Sequence, residues 1–74
     1  MRNELIETMA EILEIPTDKI ELKSNFREFE NWNSLASMAL SAAINDEYDL
    51  VIPRVEFERL LTVNELIEYI ESHK

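Results

Sequence analysis

The 74-residue chain contains no cysteine, no glycine and a single histidine. The lack of cysteine excludes disulfides, thiolate nucleophiles and cysteine-ligated zinc or iron–sulfur sites. The lack of glycine excludes the glycine-rich loops that bind nucleotide phosphates. The histidine, His73, stands next to the C-terminal residue, which is a poor position for a general base or a metal ligand. These absences disfavour an enzyme and favour a binding or carrier module.

Basic residues are also few, since seven Lys or Arg stand against sixteen Asp or Glu and give a formal charge of −9. Nucleic-acid binding needs a basic face, so we expect no nucleic-acid partner. No apolar run approaches the ~20 residues of a membrane span, and the start of the chain lacks the apolar core of a signal peptide. We therefore expect a cytoplasmic, monomeric protein with no membrane span, whose residues 1–74 form one domain.

Apolar residues recur at helical spacing in four segments, and no segment alternates for long with the period of two that marks a strand. Residues 3–14 and 34–47 are predicted to form long helices, residues 53–60 a short one, and residues 62–72 the last. The predicted fold class is all-α, a small four-helix bundle with a short third helix. Residues 15–33 carry enough large apolar side chains to pack onto the core as a long ordered connection.

Local signals mark the ends and faces of these helices. Asn3 is a candidate N-cap of the first helix, which Pro16 prevents from continuing. Thr62 and Glu65 have the spacing of a capping box at the start of the last helix. The second helix is apolar around most of its circumference, which is typical of a central helix or of one that offers an apolar strip to a partner. The third helix, opened by Pro53, is expected to turn these residues inward: Val55, Phe57 and Leu60.

The segment Asn33-Ser34-Leu35 places a serine where the long connection becomes the second helix. The first backbone N–H groups of a helix are unpaired, and the helix dipole adds positive charge there, so a phosphate on Ser34 would be favourably placed. No histidine or lysine stands nearby in sequence to activate Ser34 as a nucleophile. Ser and Asn are also the preferred N-caps, so the residues alone favour a capping role for Asn33 or Ser34.

This tripeptide resembles the Asp-Ser-Leu motif of the acyl carrier proteins, small acidic four-helix bundles that bear a phosphopantetheine arm. The resemblance covers nearly all of the chain and is densest over residues 32–70. Further matches lie at the family's Ile-Pro before the third helix and at both ends of its last helix: Ile52-Pro53, Thr62-Val63 and Tyr69-Ile70.

The resemblance implies a carrier and not an enzyme. A phosphopantetheinyl transferase would attach phosphopantetheine from coenzyme A to Ser34, with Asn33 and Leu35 contributing to its recognition. The arm's thiol would hold acyl or aminoacyl groups as thioesters for loading ligases and synthases. The family's docking face corresponds to six residues of the second and third helices: Leu35, Met38, Ala39, Ala42, Arg54 and Val55. A core position is the alternative for Leu35, Met38 and Ala42, and a solvated charge is the alternative for Arg54.

Three departures from the family pattern bear on function. Asn33 replaces the usual Asp and lacks the charge that helps to engage the transferase and its metal ion. Trp32, where many fatty-acid carriers have a small residue, resembles carriers of specialised pathways, although anchoring the connection on the core is its simpler role. The second helix begins with Ala36, Met38 and Ala39 in place of acidic residues, so we expect a more apolar partner surface.

These departures leave a second function open, that of an acyl-carrier-like module that is no longer modified and binds other proteins. Met1 and the lack of a linker favour a free-standing protein over a piece of a larger assembly. We expect no metal site, because the acidic cluster of residues 45–49 lacks the glycine and the terminal glutamate of a calcium-binding loop.

Overall fold

The structure is a computed structural model that describes residues 2–73. Its four helices are α1 (Arg2–Leu13), α2 (Ser34–Tyr48), α3 (Arg54–Phe57) and α4 (Val63–Ser72), and two 3-10 turns, Thr17–Lys19 and Phe26–Glu28, lie between α1 and α2. Residues 2–73 contain no strand, only an isolated bridge between Asn25 and Thr62. The predicted all-α four-helix bundle with a short third helix is confirmed.

The core is apolar and contains no buried polar or charged side chain from residues 2–73. Burial of this apolar surface is the main force that holds the bundle together. None of the helices within residues 2–73 combines the length and the apolar character needed to cross a membrane. The fully buried side chains come from three helices and the connection. They are Leu5, Met9 and Leu13 of α1; Phe26 of the connection; Leu40 and Ile44 of α2; and Val63, Leu66, Ile67 and Ile70 of α4.

Helix α2 presents three different faces, because residues three or four apart in sequence lie on the same side of a helix. One face, with Ala36, Leu40 and Ile44, is buried in the core. A second face is apolar but exposed, and a third carries hydroxyl groups. Only some of the apolar residues around α2 are therefore buried in the core. The exposed apolar face consists of Leu35, Met38, Ala39 and Ala42, and the hydroxyl face of Ser34, Ser37 and Ser41.

The second half of the long connection is tied to the junction between α3 and α4. The Phe26 N–H donates to the Leu61 carbonyl, and the Val63 N–H donates to the Ser24 carbonyl, both at 3.1 Å. The Phe26 side chain is fully buried. The connection is thus ordered, as predicted, and it fixes the direction in which the chain enters α2.

Helix ends are closed by side chains and by left-handed residues. The predicted capping box is confirmed, since the Glu65 N–H donates to Thr62 Oγ1 at 3.1 Å and Glu65 Oε1 accepts from the Thr62 N–H at 3.4 Å. In this glycine-free chain, Glu14 follows α1 with φ of 57° and Asp49 follows α2 with φ of 54°. Most residues other than Gly adopt this conformation at a cost.

Three predictions about the helices are wrong. Asn3 lies inside α1 and does not cap it. The third helix is a single turn instead of residues 53–60, because the chain then tightens through bonds such as the one from the Leu60 N–H to the Phe57 carbonyl at 3.1 Å. Val55 was expected to face inward but is 63% exposed. A one-turn helix presents only one residue squarely to the core, and Phe57 is the residue buried there.

Candidate functional site

Helix α2 is capped by Asn33 and not by Ser34. Asn33 has an extended backbone (φ −157°, ψ −175°), and its Oδ1 accepts a hydrogen bond from the Ala36 N–H at 2.8 Å. Its carbonyl accepts from the Ser37 N–H at 2.9 Å and closes the first turn. This is the pattern of an N-cap residue. The choice left open by the sequence is decided, and Ser34 is the first residue of the helix proper.

The side chain of Ser34 is therefore available for modification. It is exposed, and its hydroxyl has no hydrogen-bond partner within residues 2–73. It stands in the first turn of a 15-residue helix that carries no acidic residue in that turn. A phosphodiester on Ser34 would break no bond within this part of the chain and would place its charge at the positive end of the helix dipole. The site fits a phosphate ester.

A groove of about 770 Å³ opens beside Ser34, between α2, the connection and α3. Ser37 and Ser41, from the hydroxyl face of α2, line one side of it. The rings of Trp32 and Phe57 line the groove as well. Its size lies within the range of small-molecule sites. The groove thus combines aromatic surface with hydroxyl groups close to the candidate attachment point.

Arg27 also lines this groove and joins the connection to α3. Its Nε donates to the Leu60 carbonyl at 2.8 Å, and its Nη2 donates to the Phe57 carbonyl. Its Cζ lies 5.2, 5.7 and 5.1 Å from the ring centroids of Phe26, Trp32 and Phe57, within the range of cation–π contacts. The guanidinium is half-buried and forms no ion pair with a carboxylate of residues 2–73. It is a well-held cation without a counter-ion in this part of the chain.

Trp32 both anchors the connection and borders the groove. Its half-buried ring meets the Phe26 ring edge-on, with 5.0 Å between centroids and 66° between planes. Its backbone N–H donates to the Phe29 carbonyl at 2.9 Å and closes the turn that precedes α2. The anchoring role considered for Trp32 is therefore present.

The α2 residues expected at a docking face are all exposed. Leu35 is 76% exposed and Met38 is 68% exposed, and Ala39 and Ala42 complete the same face. The alternative of a core position is excluded for Leu35, Met38 and Ala42. Exposed apolar side chains grouped on one helix face are typical of an interaction surface.

The two α3 residues expected at this face are exposed as well. Val55 lies in the single turn of α3, and Arg54 opens that turn. Arg54 Nε is 3.2 Å from Glu58 Oε2 in an exposed ion pair at the groove. Such a pair adds little stability, so Arg54 remains open to a partner. No group of three or more His, Asp or Glu side chains within residues 2–73 could hold a metal ion.

Comparisons with known proteins agree with this geometry. A family model described as "Phosphopantetheine attachment site" matches residues 3–70. Over 72 residues the chain is 32% identical to an acyl carrier protein of Lactobacillus johnsonii, covering 97% of this chain and 90% of that protein. It is 28% identical over 72 residues to an acyl carrier protein of Wolinella succinogenes, covering 97% and 95% respectively. The chain belongs to the acyl carrier protein family.

Membership of this family determines the general role. Acyl carrier proteins are carriers and not catalysts, and their cofactor is a covalently bound phosphopantetheine. The family also implies interaction with a phosphopantetheinyl transferase and with synthases. The predicted family, cofactor and carrier role are thereby confirmed.

Three groove residues of this acyl carrier protein were missed by reasoning from the sequence. Ser37 and Ser41 follow Ser34 at helical spacing, so the hydroxyl face was detectable in the sequence once α2 was placed. Arg27 gave no such signal. Its place in the groove depends on bonds to carbonyl groups 30 and 33 residues further along the chain.

Proposed function

We propose that this protein holds acyl or aminoacyl groups as thioesters on a phosphopantetheine arm attached to Ser34 and presents them to biosynthetic enzymes in the cytoplasm. The observation that carries the proposal is the exposed Ser34 hydroxyl, which lies at the start of α2 and has no hydrogen-bond partner within residues 2–73. Residues 1–74 act as one carrier domain.

Ser34 Oγ is the acceptor in the modification. It forms a bond to the phosphorus next to the pantetheine of coenzyme A, while the bond from that phosphorus to the adenosine bisphosphate leaving group breaks. The hydroxyl proton passes to the transferase. Because Asn33 provides the cap of α2, this step leaves the helix end intact. When bound, phosphopantetheine supplies the thiol that this cysteine-free chain lacks.

Asn33 and Leu35 flank Ser34 and form the proposed recognition site for the transferase. The Asn33 side chain is engaged by the Ala36 N–H and carries no charge. Asn33→Asp retains an oxygen acceptor for the cap and adds a negative charge, so it should speed the modification of Ser34. The rate of mass gain with wild type and with Asn33→Asp tests this assignment.

Enzymes that load or use the cargo dock, in this proposal, on the exposed apolar face of α2 and the start of α3. The high exposure of Leu35, Met38 and Val55 supports this assignment. The partner surface should be largely apolar, with an acidic group for Arg54. Met38→Asp should slow acyl transfer by a partner enzyme and leave the fold unchanged. Val51→Asp is a matched control, since Val51 is 73% exposed but lies outside the proposed face.

The attachment site is tested by intact mass after incubation with coenzyme A, magnesium and a broad-specificity phosphopantetheinyl transferase. We expect wild type to gain the mass of one arm and Ser34→Ala to gain none. Ser37→Ala, one turn further along the same face, is the control and should be modified like wild type. A gain in Ser34→Ala would place the arm elsewhere. No gain in wild type, with helicity intact by circular dichroism, would favour the unmodified protein-binding module.

A further inference from the structure

The groove beside Ser34 holds a cation that the chain leaves without a counter-ion. Arg27 uses two of its five N–H donors on the Phe57 and Leu60 carbonyls. No carboxylate of residues 2–73 pairs with it, although the chain carries a net charge of −9. The remaining donors are available to an anionic group that enters the groove.

The α2 side of the same groove offers further hydrogen-bonding groups. Ser37 and Ser41 are half-buried, and their hydroxyls have no partner within residues 2–73. Serines in the middle of a helix often bond to a carbonyl of the preceding turn, but these two do not. Together with Arg27, they add hydrogen-bonding groups to a groove that Trp32 and Met38 also line.

We propose that this groove holds, as tethered cargo, a short acyl group that ends in a carboxylate, with Arg27 binding the carboxylate and Ser37 and Ser41 in reach of its oxygen atoms. The inference rests on the proposed attachment at Ser34 and adds the chemical class of the cargo. Arginine binds a carboxylate through two parallel hydrogen bonds, which gives both strength and orientation.

Two other classes of cargo fit the groove less well. A long alkyl chain would cover the Ser37 and Ser41 hydroxyls and the Arg27 guanidinium without replacing their hydrogen bonds to water, which is unfavourable. An aminoacyl group would bring its ammonium next to Arg27. The charged residues that line the groove are Arg27, Arg54 and Glu58, so the lining has a net charge of +1, which disfavours a cationic cargo. Arg54 adds little net charge to the groove, because it is paired with Glu58.

The tether makes even a weak contact effective. A group linked to Ser34 by a flexible arm is present at an effective concentration on the order of millimolar. A millimolar affinity for Arg27 is therefore enough to populate the bound state. The selectivity that we infer needs only a difference in affinity between cargoes and no deep pocket.

Three cargoes of matched length test the proposal: succinyl, butyryl and β-alanyl groups, which end in a carboxylate, a methyl and an ammonium. Each is loaded on wild type as a hydrolysis-resistant amide analogue of the pantetheine arm, and intact mass is checked first. Amide chemical shifts of Arg27, Ser37 and Ser41, and the Arg27 Nε–H resonance, are then compared with the unloaded arm. We expect the succinyl group alone to shift them and to raise Tm.

Variants of the groove test the contributions of Arg27 and of the two serines separately. Arg27→Gln should abolish the succinyl-specific shifts, whereas Arg59→Gln, which removes an exposed arginine outside the groove, should leave them unchanged. If Arg27→Gln fails to fold, Ser37→Ala/Ser41→Ala still tests the groove, because alanine favours the helix, and it should weaken the succinyl shifts. Equal or larger shifts with butyryl or β-alanyl cargo, or with a longer octanoyl group loaded in the same way, would overturn this inference alone. A wild type that accepts no arm would overturn the proposed function as well.

Discussion

Replacing Asn33 by alanine should destabilise the protein, whereas replacing its neighbour Ser34 should not. Asn33 Oδ1 accepts a 2.8 Å hydrogen bond from the Ala36 N–H, and an alanine side chain at this position has no acceptor for it. Loss of such a cap costs about 1 kcal/mol. The Ser34 hydroxyl makes no hydrogen bond within residues 2–73, so Ser34→Ala removes no hydrogen bond there and slightly favours the helix.

The difference is measurable by thermal unfolding of the unmodified proteins, followed by circular dichroism. In a domain of this size, a loss of about 1 kcal/mol lowers Tm by roughly 4–8 °C. Asn33→Ala should show this decrease, and Ser34→Ala should unfold within about one degree of wild type, since its expected loss is near zero. Urea unfolding should give the same order with an unchanged slope, because the surface exposed on unfolding does not change. Asn33→Asp is the control and should be at least as stable as wild type, because it keeps an acceptor and adds charge at the helix N-terminus.

One outcome would refute this account of the helix end. If Ser34→Ala loses as much stability as Asn33→Ala is expected to lose, the Ser34 hydroxyl caps α2. An ester on Ser34 would then break a structural hydrogen bond. The proposal of a freely available attachment site would lose the observation that carries it.

Two further predictions concern a strained residue and alkaline stability. Because Glu14 has a φ of 57°, Glu14→Gly should raise the free energy of unfolding by up to about 1 kcal/mol and therefore raise Tm. Glu11→Gly, inside α1, is the control and should lower the free energy of unfolding by a similar amount. A lower Tm for Glu14→Gly would contradict this reasoning. Burial, followed by the negative charges of Glu47 and Glu4, raises the pKa of Tyr48 above its usual value of 10.0, so the fold favours the neutral phenol. The resulting stability is complete below pH 10 and is lost as pH rises through the raised pKa. Tm measured from neutral to alkaline pH should therefore fall less steeply in Tyr48→Phe than in wild type, and parallel curves would argue against this role.

Much of the fold was predictable because helix formation depends on nearby residues. The periodicity of α1, α2 and α4 and the capping box at Thr62 and Glu65 involve side chains within four positions of one another. The third helix was the exception. Its sequence is compatible with two turns, but the chain must reach the start of α4, and α3 ends at Phe57.

The candidate site was predictable only in part. The position of Ser34 at the start of α2 was predictable from the sequence. That Asn33, and not Ser34, caps the helix was not predictable. Asn33 and Ser34 are both good caps, and only the extended backbone at Asn33 decides between them. The sequence also did not predict whether Leu35 and Met38 are exposed or buried, because α2 is apolar around most of its circumference.

By itself, the sequence determined the all-α class, the acidic surface and the serine at a helix N-terminus, because these follow from composition and from contacts within a turn of helix. The tertiary structure alone decided which face of α2 is buried and what surrounds Ser34. Arg27 reaches the groove through carbonyls at Phe57 and Leu60, and contacts between segments so distant in sequence depend on how the helices pack. Local sequence patterns indicate which residues can form a helix, but the packing of the helices determines which residues face each other across the groove.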